Sequence, residues 1–155
     1  MNKNHKYYLL SLISGSISTA AFWFSGLWLA SLLGLTMLSW LVLNLDYKKF
    51  NFYHIGFFWG VGFYSLAYYW IINPLLTMTN LNYFYCLLLS LVAVIYFSQL
   101  PALTLFLTSK LNYKASKITV FILCWGCGEW LASNFSITFP WGLIGYLMID
   151  SPWAN

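Results

Sequence analysis

Residues 83–108 read YFYCLLLSLVAVIYFSQLPALTLFLT, and no charged side chain interrupts them. A helix rising 1.5 Å per residue crosses the hydrocarbon of a bilayer in roughly 20 residues, and this run is longer than that. It lacks the polar–apolar alternation of a membrane barrel strand. A helix is then the form that satisfies its backbone in lipid. Pro101 predicts a kink inside it, because proline removes one backbone donor and crowds the preceding turn.

Working outward, four more apolar runs cover residues 7–24, 27–45, 52–72 and 118–135. The first two meet at Ser25-Gly26; the others are set off by a charged loop at 46–51, a polar loop at 73–82 and a basic loop at 109–117. The chain is 61% hydrophobic and 6% charged, with mean hydropathy +0.74. Soluble domains carry about 25% charged residues, so this surface could not be covered in water. The reading is an all-α integral membrane protein. It predicts a bundle of about five transmembrane helices plus a short outer-face interfacial segment. A single polytopic membrane domain fills residues 1–155, with no stretch left for a soluble domain of ordinary size.

All seven basic residues are lysines: Lys3, Lys6, Lys48, Lys49, Lys110, Lys114 and Lys117. They fall at the N-terminus and in the 46–51 and 109–117 loops, and alternate loops hold none. That is the pattern of membrane topology, not of a nucleic-acid surface. It predicts a cytoplasmic N-terminus, with 73–82 and everything after 135 outside. Lys3 and Lys6 ahead of a Leu/Ile run also have the form of a leader peptide. The apolar run, however, continues through Phe22-Trp23-Phe24 without a polar break.

Small residues recur every fourth position at Ser11, Gly15 and Thr19, and again at Gly56 and Gly60. Such spacing lets helix backbones approach closely, so Gly56 and Gly60 are read as packing positions. Cys124 and Cys127 have CxxC spacing, but no second ligand pair exists and His5 and His54 lie far off in sequence. With Cys86 they read as small apolar packing groups. No metal site and no cofactor is expected.

Glu129 is the exception to the apolar pattern of the last run. A charged side chain near mid-membrane costs on the order of 3 kcal/mol, so it is expected to face protein or a wet cavity rather than lipid. Two readings stay open: a carboxyl that ties helices together, and a group lining a polar cavity toward the outer face. Phe139-Pro140-Trp141-Gly142 cannot continue a regular helix, and tryptophan favours the interface. Residues 143–148 then form a short interfacial segment, either as an aromatic belt or as the lip of an outer-face site.

Residues 125–153, WGCGEWLASNFSITFPWGLIGYLMIDSPW, resemble the apolipoprotein N-acyltransferase family. Glu129-Trp130-Leu131, Phe139-Pro140-Trp141, Gly145-Tyr146 and Ser151-Pro152 carry the likeness. Ala132 stands where the family pattern has arginine. Residues 55–71, IGFFWGVGFYSLAYYWI, resemble an early membrane helix of the same family. The resemblance implies the bacterial cytoplasmic (inner) membrane and lipoprotein maturation. A phospholipid would be the acyl donor and the amino-terminal cysteine of a lipoprotein the acceptor. It also implies that the catalytic Glu, Lys and Cys belong to a nitrilase-like domain, which these residues do not supply. No catalytic residue is therefore expected in this chain. Glu129, Trp130, Phe139, Pro140, Trp141, Gly145 and Tyr146 are expected to form the floor on which that domain sits. The chain is expected to be truncated or split and inactive alone: either active only with a nitrilase-like domain supplied elsewhere, such as one encoded separately, or the inactive product of a decaying gene. The alternative is a small non-enzymatic membrane protein, such as a transporter subunit or packing partner.

Overall fold

The computed structural model describes residues 3–24, 27–46, 48–110 and 117–134. Every regular element among them is helical. In chain order they are α1 (Lys3–Ser18), α2 (Ala20–Trp23), α3 (Trp28–Asn44), α4 (Phe52–Ala67), a 3₁₀ turn (Tyr69–Ile71), α5 (Ile72–Met78), α6 (Tyr83–Phe97), α7 (Gln99–Lys110) and α8 (Lys117–Asn134). Two starts carry side-chain caps. The Asn51 side chain accepts from the Tyr53 amide at 3.1 Å, and Asn82 accepts from Tyr85 at 3.2 Å. Each cap satisfies an amide that has no partner within its own helix.

The helix of the decisive stretch breaks at Ser98, between α6 and α7. Pro101 lies in the first turn of α7, where its missing N–H costs nothing, while its ring crowds the carbonyl of residue 97. The Ser98 hydroxyl turns back onto the Val94 carbonyl at 2.6 Å. Residues 73–82 depart from the loop expected of them, since the chain stays helical as far as Met78. Pro74 again falls in a first turn, where proline is tolerated. Thr77 Oγ1 donates to the Asn73 carbonyl at 3.2 Å, which absorbs part of the polarity that suggested a loop. The segment bends instead: Phe52–Ala67 and Tyr69–Met78 meet at 50°. The Trp23 and Tyr69 rings stack beside this bend, 4.3 Å apart.

Helix α4 is central, packed against α1 on one side and α7 on the other. Glycines set both distances. Gly60 and Gly62 lie about 200° apart around the helix, so they serve opposite faces. A Cβ at Gly62 would sit 2.1 Å from the Leu12 carbonyl oxygen of α1, and one at Gly15 would sit 2.0 Å from that of Trp59. On the other face, a Cβ at Gly56 would sit 2.3 Å from the Pro101 carbonyl oxygen, and one at Gly60 would sit 2.7 Å from Ser98 Cα. Serines of α1 then bond across the contacts they reach. Ser11 Oγ donates to the Ile55 carbonyl at 2.7 Å and Ser14 Oγ to that of Gly34 at 2.6 Å. Interhelical bonds of this kind contribute about 0.6–2 kcal/mol each in a membrane. Trp59 and Phe63 of α4 stack at 4.9 Å in the middle of the core, with Leu38, Leu41 and Leu105 fully buried around them.

Among the described residues, Tyr83–Lys110 is long and apolar enough to cross a membrane, and the bent Phe52–Met78 pair would make a second. The other helices fall short of that test for local reasons. Helix α3 has 17 residues, while α8 carries Lys117 and Glu129 and ends on Ser133-Asn134. Only 28% of the Tyr83–Lys110 window is buried, whereas the core helix of a water-soluble protein is mostly covered. Phe84, Leu88, Leu91, Val92 and Ile95 all point outward from α6. An apolar face of this extent calls for an apolar surrounding.

Candidate functional site

Helix α8 leans on α7 and α3. Its Trp125 and Glu129 are one turn apart and share a face. The Trp125 Nε1–H donates to Glu129 Oε1 at 3.2 Å. Trp125 is itself fixed by two edge-to-face contacts, with Trp59 at 5.2 Å and Phe121 at 5.5 Å. Each such aromatic pair contributes about 0.5–1.5 kcal/mol beyond its buried area. The Glu129 carboxyl is thus tied through Trp125 to the centre of α4. Trp59 Nε1 is fully buried and has no hydrogen-bond partner among the described residues. Glu129 also lies within electrostatic reach of the Tyr64 phenol of α4.

Glu129 borders a cavity of about 320 Å³ between α3 and α8. Leu35 and Ser39 line it from α3; Phe121, Ile122, Trp125 and Gly126 line it from α8. The surface is apolar but for the Glu129 carboxyl and the Ser39 hydroxyl, and Ser39 Oγ already donates to the Leu35 carbonyl at 3.0 Å. A Cβ added at Gly126 would meet nothing within 4 Å. Sequence reasoning singled out neither Ser39 nor Gly126. The only signal was their place on the faces that α3 and α8 turn toward each other, and that pairing is not readable from either helix alone.

The other candidate residues are distributed as follows. Trp130, next to Glu129, is 61% exposed and points away from the cavity. Ser133 Oγ donates to the Trp130 carbonyl at 2.9 Å. Gly56 and Gly60 lie at the α4–α7 contact, away from this cavity. Phe139, Pro140, Trp141, Gly145 and Tyr146 lie outside the described residues, as does the interfacial segment expected at 143–148. Cys86 is buried, Cys124 partly so and Cys127 exposed. No three His, Cys, Asp or Glu side chains gather among the described residues.

The geometry predicts unequal effects of two substitutions at Glu129. Glu129→Leu leaves the Trp125 N–H without its acceptor and is expected to cost about 1–3 kcal/mol. Glu129→Gln keeps an acceptor oxygen and is expected to stay close to the parent. Leu123, 62% exposed on the same helix, is the control, and Leu123→Ala is expected to change stability by less than about 0.5 kcal/mol. Detergent unfolding midpoints measure all three. Equal midpoints for Glu129→Leu and Leu123→Ala would contradict the interior placement.

The family model of the apolipoprotein N-acyltransferase N-terminal domain matches residues 14–155. Among curated proteins, the apolipoprotein N-acyltransferase of Wigglesworthia glossinidia brevipalpis is 29% identical over 149 residues, which is 92% of this chain and 29% of that protein. The Pasteurella multocida protein of the same name is 26% identical over 155 residues, covering 100% of this chain and 29% of its own. That of Chromobacterium violaceum is 30% identical over 104 residues, 65% of this chain and 20% of its own. The chain spans less than a third of the length of each of these relatives.

Proposed function

The chain belongs to the apolipoprotein N-acyltransferase family, and from that membership we propose that it is the membrane-embedded N-terminal part of an enzyme of lipoprotein maturation. It lies in the bacterial cytoplasmic membrane and crosses it five times, through α1–α2, α3, α4, α6–α7 and α8. The lysine-bearing loops are cytoplasmic. The bend at Tyr68 and helix α5 lie toward the outer side, and α8 delivers residues 135–155 there. In this reading the chain forms the platform for acyl transfer from a phospholipid to the amino-terminal cysteine of a lipoprotein. A nitrilase-like domain outside these 155 residues supplies the catalytic Glu, Lys and Cys.

The match of the family's N-terminal domain over residues 14–155 carries the proposal. The outward apolar face of α6 and the alternation of lysine-bearing and lysine-free loops support the membrane placement. Glu129 is then a carboxyl held below the outer face by Trp125. Its role in this reading is to anchor α8 under the site rather than to transfer a proton.

Topology is the direct test. Cysteines introduced singly as Thr79→Cys and Lys114→Cys are challenged with a membrane-impermeant thiol reagent in a background without the native cysteines. Thr79→Cys is expected to label in cells whose outer membrane has been made permeable, and Lys114→Cys only after lysis. The reverse pattern would overturn the orientation.

A further inference from the structure

We propose that the cytoplasmic end of the seam between α1 and α4 binds the head group of an anionic phospholipid through Lys6, Lys48 and Lys49. The lipid belongs to the cytoplasmic leaflet, on the side of the membrane away from acyl transfer, and is not consumed. The proposal rests on the membrane placement and orientation given above.

A lysine that only sets topology can lie anywhere in its loop, whereas these three are brought together by the fold. Helices α1 and α4 run in the same direction, and their contacts advance together: Tyr7 with Phe50, Ser11 with Ile55, Gly15 with Trp59. The Tyr7 and Phe50 rings meet edge to face at 5.0 Å. Lys6 precedes Tyr7 and Lys49 precedes Phe50, so two distant segments deliver lysines to one end of the seam. The turn before α4 is held in place. The amides of Lys49 and Phe50 both donate to the Asp46 carbonyl at 3.0 Å, and the Lys48 amide donates to Asp46 Oδ1 at 2.9 Å. Lys6, Lys48 and Lys49 are all exposed. Asp46 is the only acidic residue before Glu129 in the sequence. Its Oδ2 lies 4.0 Å from Lys49 Nζ with both side chains open to solvent, and a pair of that kind neutralises little. Three lysines against one aspartate leave a positive excess suited to a phosphodiester, which accepts charge-assisted bonds from ammonium groups. Tyr7 and Tyr8, half-buried beside the lysines, place amphipathic rings at head-group depth. Lys110 provides an internal comparison. It is exposed on α7, which packs against the opposite face of α4, and its ammonium lies 5.4 Å over the Phe106 ring.

The test uses the full chain, purified in a mild detergent and titrated with short-chain phosphatidylglycerol. Phosphatidylcholine of the same chain length and inorganic phosphate are titrated in parallel. Native mass spectrometry reads lipid binding, and melting reads stabilisation. The parent is expected to bind phosphatidylglycerol about tenfold or more tightly than phosphatidylcholine, and inorganic phosphate is expected to stabilise nothing. Raising the salt from about 0.1 M to about 0.5 M is expected to weaken the binding. Lys6→Gln and Lys49→Gln are each expected to weaken it about fivefold, and Lys110→Gln less than about twofold. Asp46→Asn keeps the Oδ1 acceptor that holds Lys48 but removes the opposing charge, so it is expected to bind phosphatidylglycerol more tightly than the parent. A variant that merely folds poorly would not gain affinity. A parent that does not discriminate phosphatidylglycerol from phosphatidylcholine would overturn the proposal alone. So would equal losses for all three lysine variants, the mark of diffuse attraction, or an Asp46→Asn variant that binds no more tightly. The reverse labelling pattern at residues 79 and 114 would overturn the cytoplasmic leaflet as the source of the lipid. Recovery of the chain from the soluble fraction would overturn the membrane placement and this proposal with it.

Discussion

Purified alone and given phospholipid and a diacylated lipopeptide, the 155-residue chain is expected to form no N-acylated product above a no-protein control. Covalent acyl transfer needs an activated nucleophile, a base within hydrogen-bond reach and donors for the oxyanion. The chain has three acidic side chains, Asp46, Glu129 and Asp150. Asp46 faces Lys49 at 4.0 Å. Glu129 takes the Trp125 N–H. Cys86 is buried, with the Leu81 carbonyl 4.0 Å from its sulfur, and among the described residues neither Cys124 nor Cys127 joins a cluster of three His, Cys, Asp or Glu. The difference between the chain alone and a complete enzyme is expected to be all or none, since removing a nucleophile and its base together removes the covalent route. Mass spectrometry of the lipopeptide reads the result. Product that disappears on mutating Cys124 or Cys127 would show that the chain carries its own nucleophile.

The second large effect is structural. Gly56→Leu is expected to destabilise the bundle by about 3 kcal/mol or more, at the upper end of overpacking costs. The neighbours of an added Cβ are backbone: the Pro101 carbonyl oxygen at 2.3 Å, its carbon at 2.7 Å and Ala102 Cα at 2.8 Å. Backbone cannot swing aside as the end of a side chain can, so α4 and α7 must separate. Separation also strains the Tyr53 hydroxyl bond to Gln99, which joins the same two helices. Even Gly56→Ala is expected to be destabilising, whereas Gly126→Ala, with open space around it, is expected to be neutral or slightly stabilising. Such a loss is a large share of the roughly 5–15 kcal/mol that holds a domain folded. Unfolding midpoints in mixed detergent decide it. A Gly56→Leu variant as stable as Gly126→Ala would show that α4 and α7 do not make this contact.

The helical character of the chain was legible because it depends on local pattern. Continuous apolar runs demand internally bonded backbone, and both ends of α3 and α8, the start of α4, the start of α6 and the end of α7 fall near the boundaries read from composition, whereas α4 ends at Ala67, short of residue 72. The 73–78 segment was misread as loop because its polarity was weighed without its proline position. Pro74 in a first turn starts a helix as readily as it ends one. The close approach of Gly56 and Gly60 to α7 follows from spacing, but the identity of the partner helix does not, since a glycine pair fits any neighbour. The same holds for the candidate site. Glu129 stood out as a carboxyl in an apolar run, yet its groove is made by Leu35 and Ser39, some ninety residues earlier. Only the tertiary pairing of α3 with α8 brings them together.

The central claim is that this chain is the membrane platform of an acyltransferase whose catalytic groups lie elsewhere. The most direct measurement joins the 155 residues to the part of the Wigglesworthia glossinidia protein that lies beyond its matched region. The fusion is expressed in cells depleted of their own lipoprotein N-acyltransferase, and the amino terminus of a lipoprotein is read by mass spectrometry. The account predicts N-acylated lipoprotein with the fusion and none with either half alone. A fusion that inserts and folds in the membrane yet yields no N-acylated lipoprotein, or acylation by the 155 residues alone, would contradict it.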